Sequence, residues 1–252
     1  MTQQQRQTLI LAQIHRNGFA SIDELVAHFQ VTPQTIRRDL NHLAKAKKIN
    51  RHHGGAGIES STVNTDYQTR KIMELTAKEK IAAQLVQMIP DGASLFINIG
   101  TTTETIAKAL LSHKDLKIVT NNLHVAMILG AKADFSVVIA GGEVRERDGG
   151  VIGEATEEFI KNFRMDFGII GISGIDSEGS LLDFDYREVR VAQAIIANSR
   201  QVLLAADHSK FGRNAMVRLG NISQADHFFT DAQPPKAITK ILAEHQVHLH
   251  QV

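Results

Sequence analysis

The spacing of apolar residues changes along this chain of 252 residues. Near the N-terminus they recur every three or four positions, the period of an amphipathic helix. Leu9, Ile10 and Ile14 predict the inward face of a first helix over residues 4–16, ended by Gly18. Ile22, Leu25, Val26 and Phe29 form a second stripe, and Ile36, Leu40 and Leu43 a third. Ser21 and Glu24 have the spacing of a capping box at the start of the second helix. Thr32 followed by Pro33 is an N-cap with proline at the first helical position. At about 100° per residue, Gln34, Arg38, Asn41 and Lys45 lie opposite the third stripe, with Thr35 and Arg37 on its flanks.

From residue 76 the pattern alternates. Thr76 and Glu79 suggest another capping box, followed by a helical stripe at Ile81, Leu85, Met88 and Ile89. Short apolar runs then occur at 94–97, 116–119, 135–140, 167–170, 202–206 and 227–230, with helical patterns between most of them. Strand followed by helix, repeated, predicts a mostly parallel sheet covered on both faces. Val247 and Leu249 alternate with His248 and His250, which predicts an edge strand with both histidines toward solvent. The fold class is α/β, with domains at 1–58 and 76–252. The polar, aperiodic text of 59–70 begins a linker over 59–75.

Charge separates the two ends. Residues 1–58 hold eight Lys/Arg against three Asp/Glu, whereas the rest holds twenty against twenty-four. A basic head on a mildly acidic body means that only the head seeks a polyanion. Two short helices joined by a tight turn, the second presenting Gln, Arg and Asn, suit the major groove of double-stranded DNA. Arg pairs bidentately with guanine, and Gln or Asn with adenine. The run after the third helix, KAKKINRHHGGAG, predicts a strand over 49–52 and a turn at Gly54-Gly55. Lys45, Lys47, Lys48, Arg51, His52 and His53 then flank the groove helix and contact phosphates. With no cysteine, and no acidic partner near the histidine pair, no metal site is expected. No cofactor is expected either. The start MTQQQRQTL lacks the core of a signal peptide and no run has membrane-spanning length, so the expected location is the cytoplasm.

In open α/β sheets, ligands sit beyond the carboxyl ends of the strands. Those ends are polar or glycine-rich here. Asn98-Ile99-Gly100-Thr101-Thr102-Thr103 opens a helix near Thr103, and its free N–H groups and hydroxyls make a phosphate cradle that needs no lysine. Asn121 and Asn122, Gly141 and Gly142, and Asp207 with Lys210 follow later strands. Arg145, Arg147 and Asp148 lie in a loop that fits either a mobile lid or a contact between subunits. Asp183, Asp185 and Glu188 form an acidic cluster at the start of a helix over 186–198. The first two suit a helix N-terminus, and Glu188 is the candidate to face the pocket.

The run VTPQTIRRDLNHLAKAKKINRHHGGA resembles the head of the DeoR family of bacterial transcriptional repressors. FINIGTTTETIA, IVTNN, IAGGEVRERDGGVIGEA, FGIIGISGID and ADHSKFGRNAM resemble the body of that family. The resemblance implies a winged helix-turn-helix head and an effector domain similar to ribose-5-phosphate isomerase. It implies a homo-oligomer, dimer or tetramer, released from operator DNA by a small phosphorylated metabolite, with sn-glycerol 3-phosphate as the effector and glycerol catabolism as the target. Related members often carry Asp where this chain has Asn98, which leaves the contacts to effector hydroxyls open. Alternatives are a different sugar phosphate as effector, or a DNA-tethered isomerase using Glu188 or Asp183 with Lys210.

Overall fold

The computed structural model describes residues 1–17, 19–46, 48–52, 54–57, 62 and 64–252, without the side chains of 15–17 and 52. Gly18, Lys47, His53 and the His52 side chain, all singled out above, lie outside the described residues. The chain divides into two compact units, residues 1–75 and 76–252.

The first unit contains α1 (Gln3–Asn17), β1 (Phe19–Ser21), α2 (Ile22–Phe29) and α3 (Pro33–Lys45). The Ser21 hydroxyl accepts from the Glu24 N–H at 3.1 Å, and the Glu24 carboxylate accepts from the Ser21 N–H at 2.9 Å. This reciprocal cap satisfies two backbone donors that a helix start leaves unpaired. Thr32 caps α3 by accepting from the Thr35 N–H at 3.2 Å. Ile10, Ile14, Leu25, Ile36 and Leu40 form the fully buried centre of the unit.

Leu9 does not join that core; it is 49% exposed. Arg6 and Gln7 point inward instead, because Asp39 on α3 is fully buried and needs donors. Arg6 Nε lies 2.5 Å from Asp39 Oδ2, and Gln7 Nε2 donates to Oδ1 at 3.1 Å.

The wing consists of β2 (Asn50–His52) and β3 (Gly55–Gly57), with β1 added as a third strand in the order β1-β3-β2. The strand starts at Asn50 rather than at residue 49, because Ile49 turns into the core. Gly55 is required by close packing. A Cβ there would stand 2.3 Å from the Phe19 ring and 2.5 Å from the Ala20 carbonyl oxygen. The stretch read as linker contains a short helix, α4 (Tyr67–Ile72), capped by Asp66 through the Thr69 N–H at 3.0 Å.

The second unit is built mainly around α5 (Leu75–Val86), β4 (Ser94–Ile97), α6 (Thr101–Ala109), β5 (Lys117–Thr120), α7 (Leu123–Gly130), β6 (Ser136–Ile139) and the hairpin β7 (Glu143–Arg145) and β8 (Gly150–Ile152). It continues with α8 (Glu154–Ile160), β9 (Met165–Gly171), β10 (Gly174–Ile175), β11 (Ser180–Asp183), α9 (Tyr186–Ala197) and β12 (Ser199–Ala205). It ends with β13 (Val217–Asn221), β14 (His227–Thr230), α10 (Lys236–Glu244) and β15 (His248–Gln251). Thr76 lies inside α5 and is not its cap.

Seven strands form a wholly parallel sheet in the order β15-β14-β12-β9-β4-β5-β6. Because side chains alternate along a strand, the sheet feeds two cores. Leu95, Ile97, Ile118 and Ile169 pack with apolar residues of α5, α6 and α7. Phe96, Val119, Ile170 and Phe228 pack with those of α8, α9 and α10. The sequence pattern missed two small antiparallel sheets, β7-β8 and β10-β11-β13.

On β15, His248 is exposed but His250 is not turned to open solvent, contrary to expectation. Parallel pairing sets His250 beside Phe229, and the two rings stack at 4.4 Å and 9°. Among the described residues, no helix is long and apolar enough to cross a membrane, and no group of three or more His, Cys, Asp or Glu is arranged to hold a metal ion.

Candidate DNA-reading helix and candidate effector pocket

On α3 and the wing, Thr32, Gln34, Arg37, Arg38, Asn41, Lys45 and Lys48 are exposed, and Thr35 is half-buried. Three anchoring residues, Ile36, Leu40 and Leu43, hold the opposite face against the core. The Thr32 and Thr35 hydroxyls lie 2.9 Å apart within the cap. Arg51 is a brace more than a free phosphate contact. Its Nε donates to Asn41 Oδ1 at 3.1 Å and its Nη1 to the Gly55 carbonyl, which ties the wing to the helix. Burial and the nearby Arg37 charge lower the Arg51 pKa from its ordinary value.

In the body, four buried side-chain atoms have no hydrogen-bond partner among the described residues: Asn98 Oδ1, Asn121 Oδ1, Asp207 Oδ2 and Thr230 Oγ1. Each sits at the carboxyl end of a parallel strand, respectively β4, β5, β12 and β14. Leaving such an atom unpaired costs about 1–3 kcal/mol. They share one edge of the sheet, the side on which open α/β sheets hold ligands.

Between β4 and α6, Gly100 has φ +148°, and no side chain caps the helix. The first N–H groups of α6 therefore remain available at the positive end of its dipole. Thr103 does not offer its hydroxyl to a ligand. It donates into its own loop, to the Asn98 carbonyl at 2.8 Å and the Gly100 carbonyl at 2.7 Å. Thr101 accepts from Lys78 Nζ at 3.1 Å. Lys78, on α5, is only 2% exposed. The sequence predicts a cradle that needs no lysine, whereas the structure places Lys78 beside Thr101. The signal was present: Lys78 shares the buried stripe of Ile81 and Leu85, where a cation is costly unless it has a task.

Asp207 also faces this lysine. Burial alone raises its pKa, but Lys210, the bond from Ser209 and Lys78 outweigh it and hold the carboxyl below its ordinary value. Lys210 Nζ lies 3.6 Å from Asp207 Oδ2. Lys78, Asp207, Lys210 and the start of α6 thus form one electrostatic unit.

Asn121 and Asn122 divide their roles. Asn122 Oδ1 caps α7, accepting from His124 and Val125, and its Nδ2 lies 3.4 Å from Glu104. Asn121 Nδ2 donates to the Val151 carbonyl at 3.1 Å, while its Oδ1 stays unpaired. Val151 belongs to the β7–β8 hairpin, which also donates its N–H to the Asn121 carbonyl at 2.7 Å. A Cβ on Gly150 would stand 2.6 Å from Ile99 Cδ1, so the hairpin lies close over the end of β4 as well. Gly141 and Gly142, both exposed, lead into this hairpin. A Cβ on Gly142 would meet Thr156 Oγ1 at 2.0 Å, so packing requires the glycine.

Arg145 fixes the hairpin to α9. Its Nε and Nη2 each lie 2.8 Å from Asp148, Nη1 lies 2.9 Å from Asp185, and Nη2 lies 2.7 Å from Glu188. The loop left open as lid or subunit contact is thus clamped within the chain. Asp185 also caps α9, as its position suggested. Burial, then the Asp183 charge, push the Glu188 carboxyl up to about 7 against the opposing pull of Arg145.

A winged helix-turn-helix with an outward cationic face, followed by an α/β unit with unsatisfied polar strand ends, defines a ligand-responsive DNA-binding regulator. The chain belongs to the DeoR family. Residues 6–62 match the DeoR-like helix-turn-helix domain, and residues 73–232 match the DeoR C terminal sensor domain. It is 57% identical to the glycerol-3-phosphate regulon repressor of Escherichia coli (strain K12), over 99% of each chain. It is 53% identical to the repressor of the same name from Haemophilus influenzae, over 99% of this chain and 97% of that one. The HTH-type transcriptional repressor CsqR of Escherichia coli is 40% identical over 99% of this chain and 95% of that one. A ribose 5-phosphate isomerase from Methanocaldococcus jannaschii aligns with 55% of this chain and 55% of its own, at 12% identity and a TM-score of 0.41.

Proposed function

We propose that the chain represses genes of glycerol and glycerol-phosphate catabolism and leaves its operator when it binds sn-glycerol 3-phosphate. The full-length identity to glycerol-3-phosphate regulon repressors supports the target. The four buried polar atoms without a hydrogen-bond partner at one edge of the sheet carry the reading of the pocket. The phosphate sits on the N–H groups of Thr101 and Thr102, with Lys78 and Lys210 balancing its charge. Asn98 Oδ1 and Asn121 Oδ1 offer acceptors without a donor, and Asp207 Oδ2, with Lys210 Nζ 3.6 Å away, accepts no hydrogen bond; such oxygens suit the hydroxyl donors of a polyol. Asn98 accepts a hydroxyl without repelling the phosphate dianion, as an aspartate would.

In the head, Arg38 and Gln34 read base edges, while Arg37, Lys45 and Lys48 neutralise phosphates. A homo-oligomer, dimer or tetramer, places two heads on half-sites about one DNA turn apart. Effector binds preferentially to the arrangement that does not hold DNA, so operator weakens effector binding by the same factor. No turnover is part of this reading, since Glu188 is engaged by Arg145.

A thermal-shift titration of the full chain tests the effector. At 100 times its Kd, sn-glycerol 3-phosphate adds about 2.7 kcal/mol of stability, whereas inorganic phosphate at the same concentration gives a smaller shift. The same concentration of sn-glycerol 3-phosphate then releases operator DNA in a mobility-shift assay. Equal shifts from both compounds, or DNA retained at saturating effector, would overturn the proposal.

A further inference from the structure

The parallel sheet has two edges, and they differ. At one end β15 reads HLHQ, with His248 and Gln251 exposed. At the other end β6 reads SVVI, with no charge and no proline. Its Val138 is 38% exposed and its Ile139 40%. Sheet edges are normally blunted by lysine, proline, bulges or a cover, because their outer N–H and C=O groups invite another strand. β6 has none of these devices of sequence, and β5 occupies only one of its flanks.

The helix beside it tells the same story. α7, LHVAMILG, is apolar almost all round, the composition of a buried helix. Yet Met127 is 75% exposed, and Leu123, Ala126 and Ile128 are half-buried. Beyond the end of β6, Val144 on β7 is 52% exposed.

We propose that β6 pairs antiparallel with β6 of a second copy of this chain, so that two sheets join across a two-fold axis, with α7 of each copy beside the seam. Charge selects this occupant. Before β6, Lys132 and Asp134 form a pair at 3.5 Å; after it, Arg187 and Glu143 form a pair at 2.7 Å. Antiparallel self-pairing sets the first pair of one copy near the second pair of the other. Lys132 then meets Glu143 and Asp134 meets Arg187, twice over by symmetry. Parallel self-pairing would bring like residues together instead. The apolar positions Val138 and Ile139 are self-complementary in either copy.

The seam also adjoins the pocket described above. β6 runs through Gly141-Gly142 into the hairpin that bonds Asn121. The seam uses none of the pocket side chains, so loss of self-association and loss of effector binding are measurable separately.

Sedimentation equilibrium on the full chain at micromolar concentration measures the mass. The wild type is expected at twice the chain mass or more. V138K/I139K places four lysines across one seam, and self-association weakens by about 100-fold or more. Its mass falls to half the wild-type value or less, while the thermal shift with sn-glycerol 3-phosphate persists. H248K, on the opposite edge, keeps the wild-type mass. Since the chain has no cysteine, single variants V137C and V138C report the seam directly. At least one gives a disulfide-linked dimer on mild oxidation, and H248C gives none. This second assay decides the matter should the double lysine variant fail to fold. A monomeric wild type, an undiminished mass for folded V138K/I139K, or crosslinking at position 248 but at neither 137 nor 138 would overturn the proposal.

Discussion

The head and the body present their functional groups in opposite ways. On α3, long side chains project from a helix whose other face is anchored in a small core, and Gln34, Arg37, Arg38 and Asn41 are exposed. At the carboxyl edge of the body sheet, Asn98, Asn121, Asp207 and Lys78 are almost fully withdrawn from solvent. A duplex is larger than the domain that reads it, so the protein must reach out. A small anion can be surrounded, and withdrawal from water strengthens each contact with it. The two regions therefore respond differently to mutation. Loss of a projecting residue weakens binding and leaves the fold intact. Loss of an enclosed one touches both.

The largest effect is expected where the head breaks its own pattern and buries a charge. Asp39→Ala leaves the Arg6 guanidinium buried without its carboxylate, which costs about 3–5 kcal/mol. Chemical denaturation of an isolated 1–75 fragment beside the full chain checks this, with operator binding lost in parallel. An unchanged midpoint would show that the Arg6–Asp39 pair does not hold α1 to α3.

Next comes Lys78→Met, which removes the cation shared by Thr101 and Asp207. Loss of a charge-assisted contact to phosphate lowers effector affinity by about 100-fold, read by calorimetry with sn-glycerol 3-phosphate. Operator affinity without effector stays near wild type. Should the effector bind this variant normally, the phosphate lies elsewhere.

Arg38→Ala sharpens the other side of the contrast. Loss of one base-reading arginine costs about 1–3 kcal/mol of operator affinity and relaxes sequence preference at one position. Melting temperature and effector affinity stay unchanged, as exposure on α3 requires.

pH acts on stability alone, through the body. Glu188 has a folded-state pKa of about 7, above its ordinary 4.5, so the folded chain binds the extra proton. Its contribution to stability is therefore present below about 4.5 and is lost as pH rises to about 7. Glu188→Gln is expected to flatten that part of the stability profile, measured by urea midpoints at pH 5, 6 and 7. An identical slope in the variant would show that the carboxyl is already ionised in the clamp.

Much of this was legible in local text. The Ser21/Glu24 box, the Thr32-Pro33 start, the outward face of α3 and the strands at 94–97 and 227–230 depend on contacts within a few residues, so spacing alone reveals them. Local reasoning failed where a partner came from afar. Leu9 yielded its inward place to Arg6 because Asp39, on another helix, needed a donor. His250 followed Phe229 rather than its alternation. Thr103 and Asn122 are polar residues in the predicted places whose bonding groups serve the fold.

By itself the sequence determined that a basic helix-turn-helix precedes a parallel α/β body, and that polar residues stand at the carboxyl ends of its strands. These follow from periodicity, capping and charge, which need no knowledge of distant neighbours. Only the tertiary structure decided which polar atoms stay unpaired, that Lys78 from α5 enters the cradle, and that Arg145 clamps the hairpin to α9. Desolvation and hydrogen-bond saturation are properties of all neighbours at once, and chain folding, not local order, brings those neighbours together.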